Sequence, residues 1–479
     1  MEKIRTQYND KKTKGGKRMA RAQNKRELLI VLLLALLMNA ACATVTDDSG
    51  AAPSSTQVDS AGQEASREKA TGGEEQEEAA AVPDTIDSPV TLKFMAPWDE
   101  ESFHARVKDP VEAHFPNVTM ELVSEVVDSQ PLQETFAQGI VPDILLAHRG
   151  FAVLRDADML FPLDDLVQAH QLDLSSIRSG AIDLVRARDP EGKRRLLGLP
   201  MEEVMNAVFY NKAIFDQFGV PYPTDGMTWD DIIDLARQVT GQRDGTAYRG
   251  LVFSAFQTTV PLMQLSAQGV GQDGSVNFAS NPDFAEYYEL MRKMKDIPGN
   301  YPPDSKATFA NQQVAMLVTS INSFETYIKE EGLDFDVVSL PSWPDRPGIG
   351  PFANPFSYTI SPHSEHKDEA FIVLKYLLSE EMQTSLHRAA SGTVLDKPVL
   401  YEQFGADKIT DGRTFHFHNV YLKQANPPEF SRYDPESKFY AFLRDKFAEF
   451  LRTTDDTNTF LRKIEDEYSA LLKEQLAAQ

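Results

Sequence analysis

From residue 90 onward, short apolar runs alternate with longer stretches whose apolar residues recur at helical spacing. Val90-Thr91-Leu92-Lys93-Phe94-Met95 alternates apolar and polar positions, which predicts a strand running into Pro97-Trp98-Asp99. A helix is predicted over Phe103–Phe115, stopped by Pro116, which has no N–H to continue it. Val118–Val123 reads as a second strand, Leu132–Gln138 as a helix and Ile144-Leu145-Leu146 as a third strand after a Gly-Ile-Val-Pro-Asp turn. The same alternation resumes after residue 204 and near 335–380, with no fixed-period repeat. Strands separated by helices of this length predict βαβ units and mainly parallel sheets in an α/β protein. Ala207-Val208-Phe209 is apolar without alternation, as expected of a strand buried on both faces. Pro200 is expected to end a strand. Thr228 is a good N-cap, followed by Asp230 and Asp231 where the helix dipole favours carboxylates. Trp229 then falls on the core side of an amphipathic helix with Ile232, Ile233 and Leu235.

The first ninety residues follow a different pattern. Residues 1–27 hold ten Lys/Arg and three Asp/Glu, followed by eleven apolar residues, Leu28 to Met38, and then Asn39-Ala40-Ala41-Cys42. Eleven residues are too few to span ~30 Å of hydrocarbon as a helix, so the segment reads as a secretory signal. Met19-Ala20-Arg21 would open a signal of ordinary length, making Met19 an alternative start. Cys42, the only cysteine of the chain, stands where cleavage would fall. This arrangement resembles a bacterial lipoprotein signal, which implies lipidation of Cys42 as the mature N-terminus and a lipid anchor in the membrane. Asn39 stands where that pattern prefers Leu. Residues 42–89 are rich in Ala, Ser, Gly and Glu and hold no aromatic residue, as in a flexible, self-repelling tether.

Charge and composition narrow the function. The 479 residues carry 48 Lys+Arg against 72 Asp+Glu, a net charge of −24, which argues against nucleic acid as a partner. With 42% hydrophobic and 25% charged residues the chain is globular, and its length allows two or three domains. A single cysteine excludes a disulfide scaffold and a Cys-rich zinc site. There is no Gly-x-Ser-x-Gly, His-Glu-x-x-His or P-loop motif. Gly269-Val270-Gly271-Gln272-Asp273-Gly274 spells a dinucleotide fingerprint but follows a helix and precedes a strand, so it reads as a turn. His416 and His418 alternate with Phe415 and Phe417 and are expected on one side of a strand, without a third metal ligand nearby. His363 and His366 fall in a polar loop. No catalytic residue, metal or cofactor is assigned, and the chain is not read as an enzyme.

Several stretches occur together in a recognisable order. They are Glu112-Ala113-His114-Phe115-Pro116-Asn117-Val118, then Gly139-Ile140-Val141-Pro142-Asp143-Ile144, then Phe161-Pro162-Leu163-Asp164-Asp165-Leu166. The longest begins at Leu197-Gly198-Leu199-Pro200, continues through Phe209-Tyr210-Asn211-Lys212, Phe215, Gly219-Val220 and Pro223, and ends at Thr228-Trp229-Asp230-Asp231. Ala315-Met316-Leu317, Val337-Val338-Ser339-Leu340-Pro341 and Ala370 to Leu378 follow. On these, residues 90–400 resemble the extracellular solute-binding proteins of sugar-type ABC importers, the family of the maltose-binding protein. The resemblance implies a two-lobed periplasmic-binding-protein-like fold, each lobe a mainly parallel sheet with flanking helices. Lobe 1 is expected from 90–202 and 345–400, and lobe 2 from 203–344 and 401–479, joined by a hinge of several crossovers.

It also implies a ligand cleft between the lobes, closed by hinge motion. Sugar sites combine aromatic faces with carboxylates, amides and Arg. Candidates in the corresponding loops are Trp98, Asp99 and Glu100 after the first strand, and His148 and Arg149 after the Pro-Asp strand. Glu202 and Glu203 lie on the first crossover, and Phe256 and Gln257 follow the strand of the second lobe. Ser320, Asn322 and Phe324, with Trp343, Asn354 and Phe356 about the second crossover, complete the set. The expected function is a monomeric, lipid-anchored, extracytoplasmic protein that delivers a small polar ligand, a mono- or oligosaccharide, to the permease subunits of an ABC importer. The alternative is a sensing module of the same fold that signals to a membrane sensor kinase.

Overall fold

The computed structural model describes residues 83–148, 150–302, 305–434 and 437–477. The signal segment, Cys42, all but the last residues of the expected tether, and Arg149 lie outside the described residues. Those last residues already pack on the body. Asp84 pairs with Lys375 at 2.6 Å, and the Ile86 carbonyl accepts from Asn117 Nδ2 at 3.0 Å.

In chain order the strands are β1 (Val90–Met95), β2 (Val118–Val123), β3 (Ile144–Leu146), β4 (Leu199–Glu203), β5 (Asn206–Asn211), β6 (Gly241–Arg243), β7 (Thr246–Phe253), β8 (Val314–Ser320), β9 (Phe335–Ser339), β10 (Ile349–Gly350), β11 (Pro355–Ile360) and β12 (Lys423–Gln424). One five-stranded sheet has the order β2-β1-β3-β11-β4, the other β6-β7-β8-β5-β9, and β10 pairs with β12. Helices flank both large sheets, giving the expected two-lobed α/β architecture.

The sheets are mixed rather than mainly parallel. β1 runs parallel to β2 and β3, but β11 is antiparallel to both its neighbours. In the second lobe only β7 and β8 are parallel. The reason is the route of the chain. β4 runs toward the point where the chain changes lobes, and β5 starts there and runs away, so Asn206 faces Ser320 at the end of β8 and Ala207 faces Ser339 at the end of β9. β11 likewise starts beside the end of β4, Pro355 opposite Glu203.

Burial follows from this layering. The first lobe has one core, built on Leu92, Phe94, Ile144, Leu145, Ile360 and the helix Lys367–Leu377. The second lobe buries both faces of its sheet, which explains the uninterrupted apolar run of β5. Val208 and Tyr210 enter one core and Ala207 and Phe209 the other. Helices Phe439–Phe450 and Thr457–Ala477 cover the first of these faces with Leu443, Phe450, Phe460, Ile464 and Tyr468. Trp229 is 1% exposed there, stacked on Phe253 at 5.8 Å and donating from Nε1 to Gln264 Oε1 at 2.9 Å. Its helix starts with a reciprocal cap: Thr228 Oγ1 accepts from the Asp231 N–H and the Asp231 carboxylate accepts from the Thr228 N–H.

Local details depart from expectation in three places. Pro200 does not end a strand; it is the second residue of β4, and β4 is an edge strand, where a missing N–H is tolerated. His416 and His418 lie at a 3-10 turn (Phe417–Val420) rather than on a strand, and His416 Nδ1 is 2.8 Å from Asp336 Oδ2. Among the described residues no group of three His, Cys, Asp or Glu side chains is placed to hold a metal. The helix expected over 103–115 instead begins at Glu100 and passes through a π turn, His104–Lys108, before resuming as Asp109–His114. Pro110 has no N–H to offer the Arg106 carbonyl, and the chain widens to the Asp109-to-His104 bond just before it. Residues 269–274 form a turn as expected, closed by Gly271 N–H to Ser275 O and Gly274 N–H to Gly271 O.

Candidate functional site

The chain passes from one lobe's core to the other's from Met201 to Met205, from Trp343 to Ala353 and from Leu400 to Phe404, and between the last two Ala390 reaches into a second-lobe core. The first passage carries adjacent carboxylates, Glu202 and Glu203, and their surroundings differ.

β4 pairs with β11 irregularly. Phe356 faces Glu202 and Ser357 faces Pro200, leaving Met201 over as a bulge one residue before Glu202. Glu202 accepts from Arg106 Nη1 at 2.8 Å on one carboxylate oxygen and from Asn322 Nδ2 at 2.7 Å on the other. Arg106 comes from the π turn of the first lobe; Asn322 is on the 3-10 turn Ile321–Ser323 that follows β8 in the second. Ser320 caps that turn by accepting from the Asn322 N–H. One carboxylate thus ties both lobes. Burial alone would lower the Arg106 pKa, but the Glu202 charge beside it holds it above its ordinary value. The same guanidinium lies 5.9 Å over Trp98, which is half-buried, stacked on Phe94 at 5.4 Å and edge-on to Tyr358 at 6.2 Å. Asn322 Oδ1 is buried and accepts no hydrogen bond from any described residue.

Glu203 is 1% exposed. Burial pushes its carboxyl above the usual range, opposed by the Arg178 charge and by hydrogen bonds from Gln424 and the Asn354 N–H. Arg178 Nε lies 3.6 Å from Glu203 Oε2, with its guanidinium beside Tyr401 and Tyr421, two rings stacked 3.8 Å apart. Tyr421 Oη meets His387 Nε2 at 3.3 Å, while His387 Nδ1 is 2.9 Å from the Ser391 carbonyl. Burial lowers the His387 pKa to about 4. A Cβ on Gly392 would stand 1.9 Å from the Glu203 carbonyl oxygen, so only glycine fits there without moving the first passage.

The structure therefore joins Trp98 to Glu202 through Arg106, Asn322 to Glu202 directly, and Glu203 to Asn354 through the hinge network. Phe356 is 37% exposed at the register position of Glu202. Phe256 stands on the second lobe after β7, 72% exposed, with the Arg444 guanidinium 5.0 Å from its ring, and the neighbouring Gln257 accepts from Ser254 Oγ. Asp99 caps the helix at Glu100 by accepting from the Ser102 N–H, Glu100 is exposed in its first turn, and His148 Nδ1 lies 3.3 Å from the Leu146 carbonyl. Two candidates are core residues instead. Phe324 is fully buried among Phe335, Phe404, Phe415 and Phe417, rings supplied partly by the third passage. Trp343 is 5% exposed and donates from Nε1 to the Pro261 carbonyl at 2.9 Å. Sequence reasoning did not single out Arg106, Arg178 or Gln424. Arg106 sits four residues before Pro110, the one local sign of an irregular turn; nothing near Arg178 or Gln424 marks a partner more than 20 residues away in each case.

The profile of the bacterial extracellular solute-binding proteins matches residues 96–384. The chain belongs to that family. The match includes Trp98, Arg106, Glu202, Glu203, Asn322 and Phe356, and ends before the segment that supplies Gln424 and the two C-terminal helices. Among curated relatives, a protein of Brucella abortus provisionally named a binding protein is 24% identical over 197 residues, 38% of this chain. The matched region is about half (47%) of that relative's length. Among solved structures, the fold is similar to a sugar transporter of Rhizobium etli in an open conformation (20% identity, TM-score 0.63, 79% of this chain and 98% of that one). It is similar also to the sugar-binding protein MalE of Xanthomonas citri (16% identity, TM-score 0.62, 81% and 99%). Among the described residues no helix is long and apolar enough to cross a membrane.

Proposed function

We propose that this protein is an extracytoplasmic, lipid-anchored solute-binding protein that holds a small polar ligand, a carbohydrate, between its lobes and delivers it to an ABC permease without transforming it. One observation carries the reading: Glu202 receives Arg106 from the first lobe and Asn322 from the second, beside the half-buried face of Trp98. A carboxylate, a guanidinium and an amide offer the acceptors and donors that hydroxyl groups need, and an indole face suits the C–H surface of a sugar ring. A ligand touching both sides gains contacts in the closed form that the open form lacks, and so drives closure. The sugar-binding relatives named above support the ligand class. Lobe 1 (90–202, 345–400), lobe 2 (203–344, 401–479) and a monomeric state belong to the same proposal.

A thermal-shift screen of the mature protein against mono- and oligosaccharides tests it, because a ligand that binds only the folded state raises the melting temperature. If no sugar shifts the melting curve while another class of solute does, the carbohydrate assignment fails. Anchoring is tested separately. Cys42→Ala is expected to move the protein from the membrane fraction to the soluble one; retention in the membrane with unchanged mass would exclude the lipid anchor.

A further inference from the structure

At the centre of the hinge lies a cavity of about 20 Å³. Its walls come from the first passage and the start of β5 (Glu203, Asn206), from the end of β9 and the second passage (Leu340, Phe352), and from the segment around β12 (Leu422, Gln424). Two oxygens among its lining residues, Glu203 Oε2 and Asn206 Oδ1, are buried and accept no hydrogen bond from any described residue. Glu203 is 1% exposed and Asn206 8%. Leaving two such acceptors without donors is costly, on the order of 1–3 kcal/mol for each.

We infer that this cavity binds one structural water, donating one O–H to Glu203 Oε2 and the other to Asn206 Oδ1. The size fits, since a single water needs roughly 10–15 Å³ of such space and at least two polar partners. The chemistry fits as well. Both wall oxygens are acceptors, so the occupant has to donate twice, which water does. A monovalent cation would want more oxygens than two, and Arg178 already places a positive charge 3.6 Å from the same Glu203 oxygen. Most of the other wall atoms are apolar, from Leu340, Phe352 and Leu422.

The position of the two acceptors gives the water a task. Glu203 ends β4 of the first sheet and Asn206 begins β5 of the second. The water is then a joint between the lobes on the side of the hinge away from Glu202. A water bridge keeps both hydrogen bonds through small rotations because the molecule turns with them, whereas a direct contact fixes one angle.

A crystal structure of the mature protein at about 1.8 Å or better tests this. The expected result is an ordered water within roughly 2.7–3.2 Å of both Glu203 Oε2 and Asn206 Oδ1. Absence of such a peak with both side chains well placed overturns the inference. A thallium soak gives a second arm: an anomalous peak in the cavity would make the site a cation site and overturn it too. In Asn206→Leu the water should be lost while the Glu203–Arg178 pair stays; a water retained at the same place would show that Asn206 does not hold it. If that variant does not fold, the native crystals still decide.

Discussion

Glu202 and Glu203 are neighbours on one edge strand and differ in almost everything that matters to a carboxylate. Glu202 faces the π turn of the first lobe and an amide of the second, and its partner Arg106 is one-third exposed. Glu203 faces a closed network of Arg178, Gln424, Tyr401 and Tyr421, and its side chain is 2% exposed. The difference follows from the two-residue period of a strand, sharpened by the bulge at Met201. On the function proposed above, one side exchanges partners, since a hydroxylated ligand would offer the donors that Arg106 and Asn322 now supply. The other is built to keep them, because a buried charge that loses its partner has no bulk solvent to turn to.

The contrast is most open to attack through stability. Glu203→Ala leaves the Arg178 charge buried and unpaired, and is expected to cost about 3–5 kcal/mol in denaturant unfolding. Glu202→Ala should cost only about 1 kcal/mol, since Arg106 reaches solvent. Equal losses would remove the distinction between the two sides. Acid titration of stability comes next. His387, on the Glu203 side, is held at about 4 against an ordinary 6.5, so the folded state binds fewer protons across that interval. Its contribution is fully present above 6.5 and is lost as pH falls toward 4, about 3 kcal/mol in all, and His387→Gln should abolish this loss. Glu203 has the opposite sign: with its pKa raised above 4.5, its contribution is greatest in acid and declines as pH rises.

The remaining two tests act on binding. Trp98→Ala should weaken a bound sugar by about 1–3 kcal/mol, roughly five- to 150-fold by calorimetry, with a smaller loss of stability than Trp229→Ala. A stability loss equal to that of Trp229→Ala would make Trp98 a packing residue. Asn322→Ala removes the interlobe hydrogen bond to Glu202, which is worth about 0.5–1.5 kcal/mol. The ligand-free protein should then shift toward the open form, seen as a larger radius of gyration in small-angle scattering. An unchanged radius would mean that this bond does not hold the lobes together.

Much of this was legible in the sequence, for reasons that can be named. Strand positions follow apolar runs such as Ala207–Phe209, and the Thr228 cap announces its helix through local hydrogen bonds within three residues. Glu202 and Asn322 could be proposed because they fall in crossover and loop segments of a recognisable order. What was not legible depends on contacts distant in the chain. Phe324 looks like a cleft aromatic until Phe404, Phe415 and Phe417 fold over it. Arg106 and Arg178 are ordinary surface cations in the sequence; partners 96 and 25 residues further along turn them into parts of the site. The direction of β5 and β11 was missed because the alternation of strands and helices does not say where a chain changes lobes.

The entry of the chain at Asp84 sets a frame of reference for all this. The body is joined to whatever precedes residue 83 through the first lobe, at the end of β1 opposite Met95, where Asp84 is pinned to Lys375. Seen from there, Trp98, Arg106 and Glu202 lie on the lobe that the chain enters first. Asn322, Phe256 and the two C-terminal helices lie on the other lobe, so the closure proposed above is read as a change in distance between a label on either helix and one near Asp84.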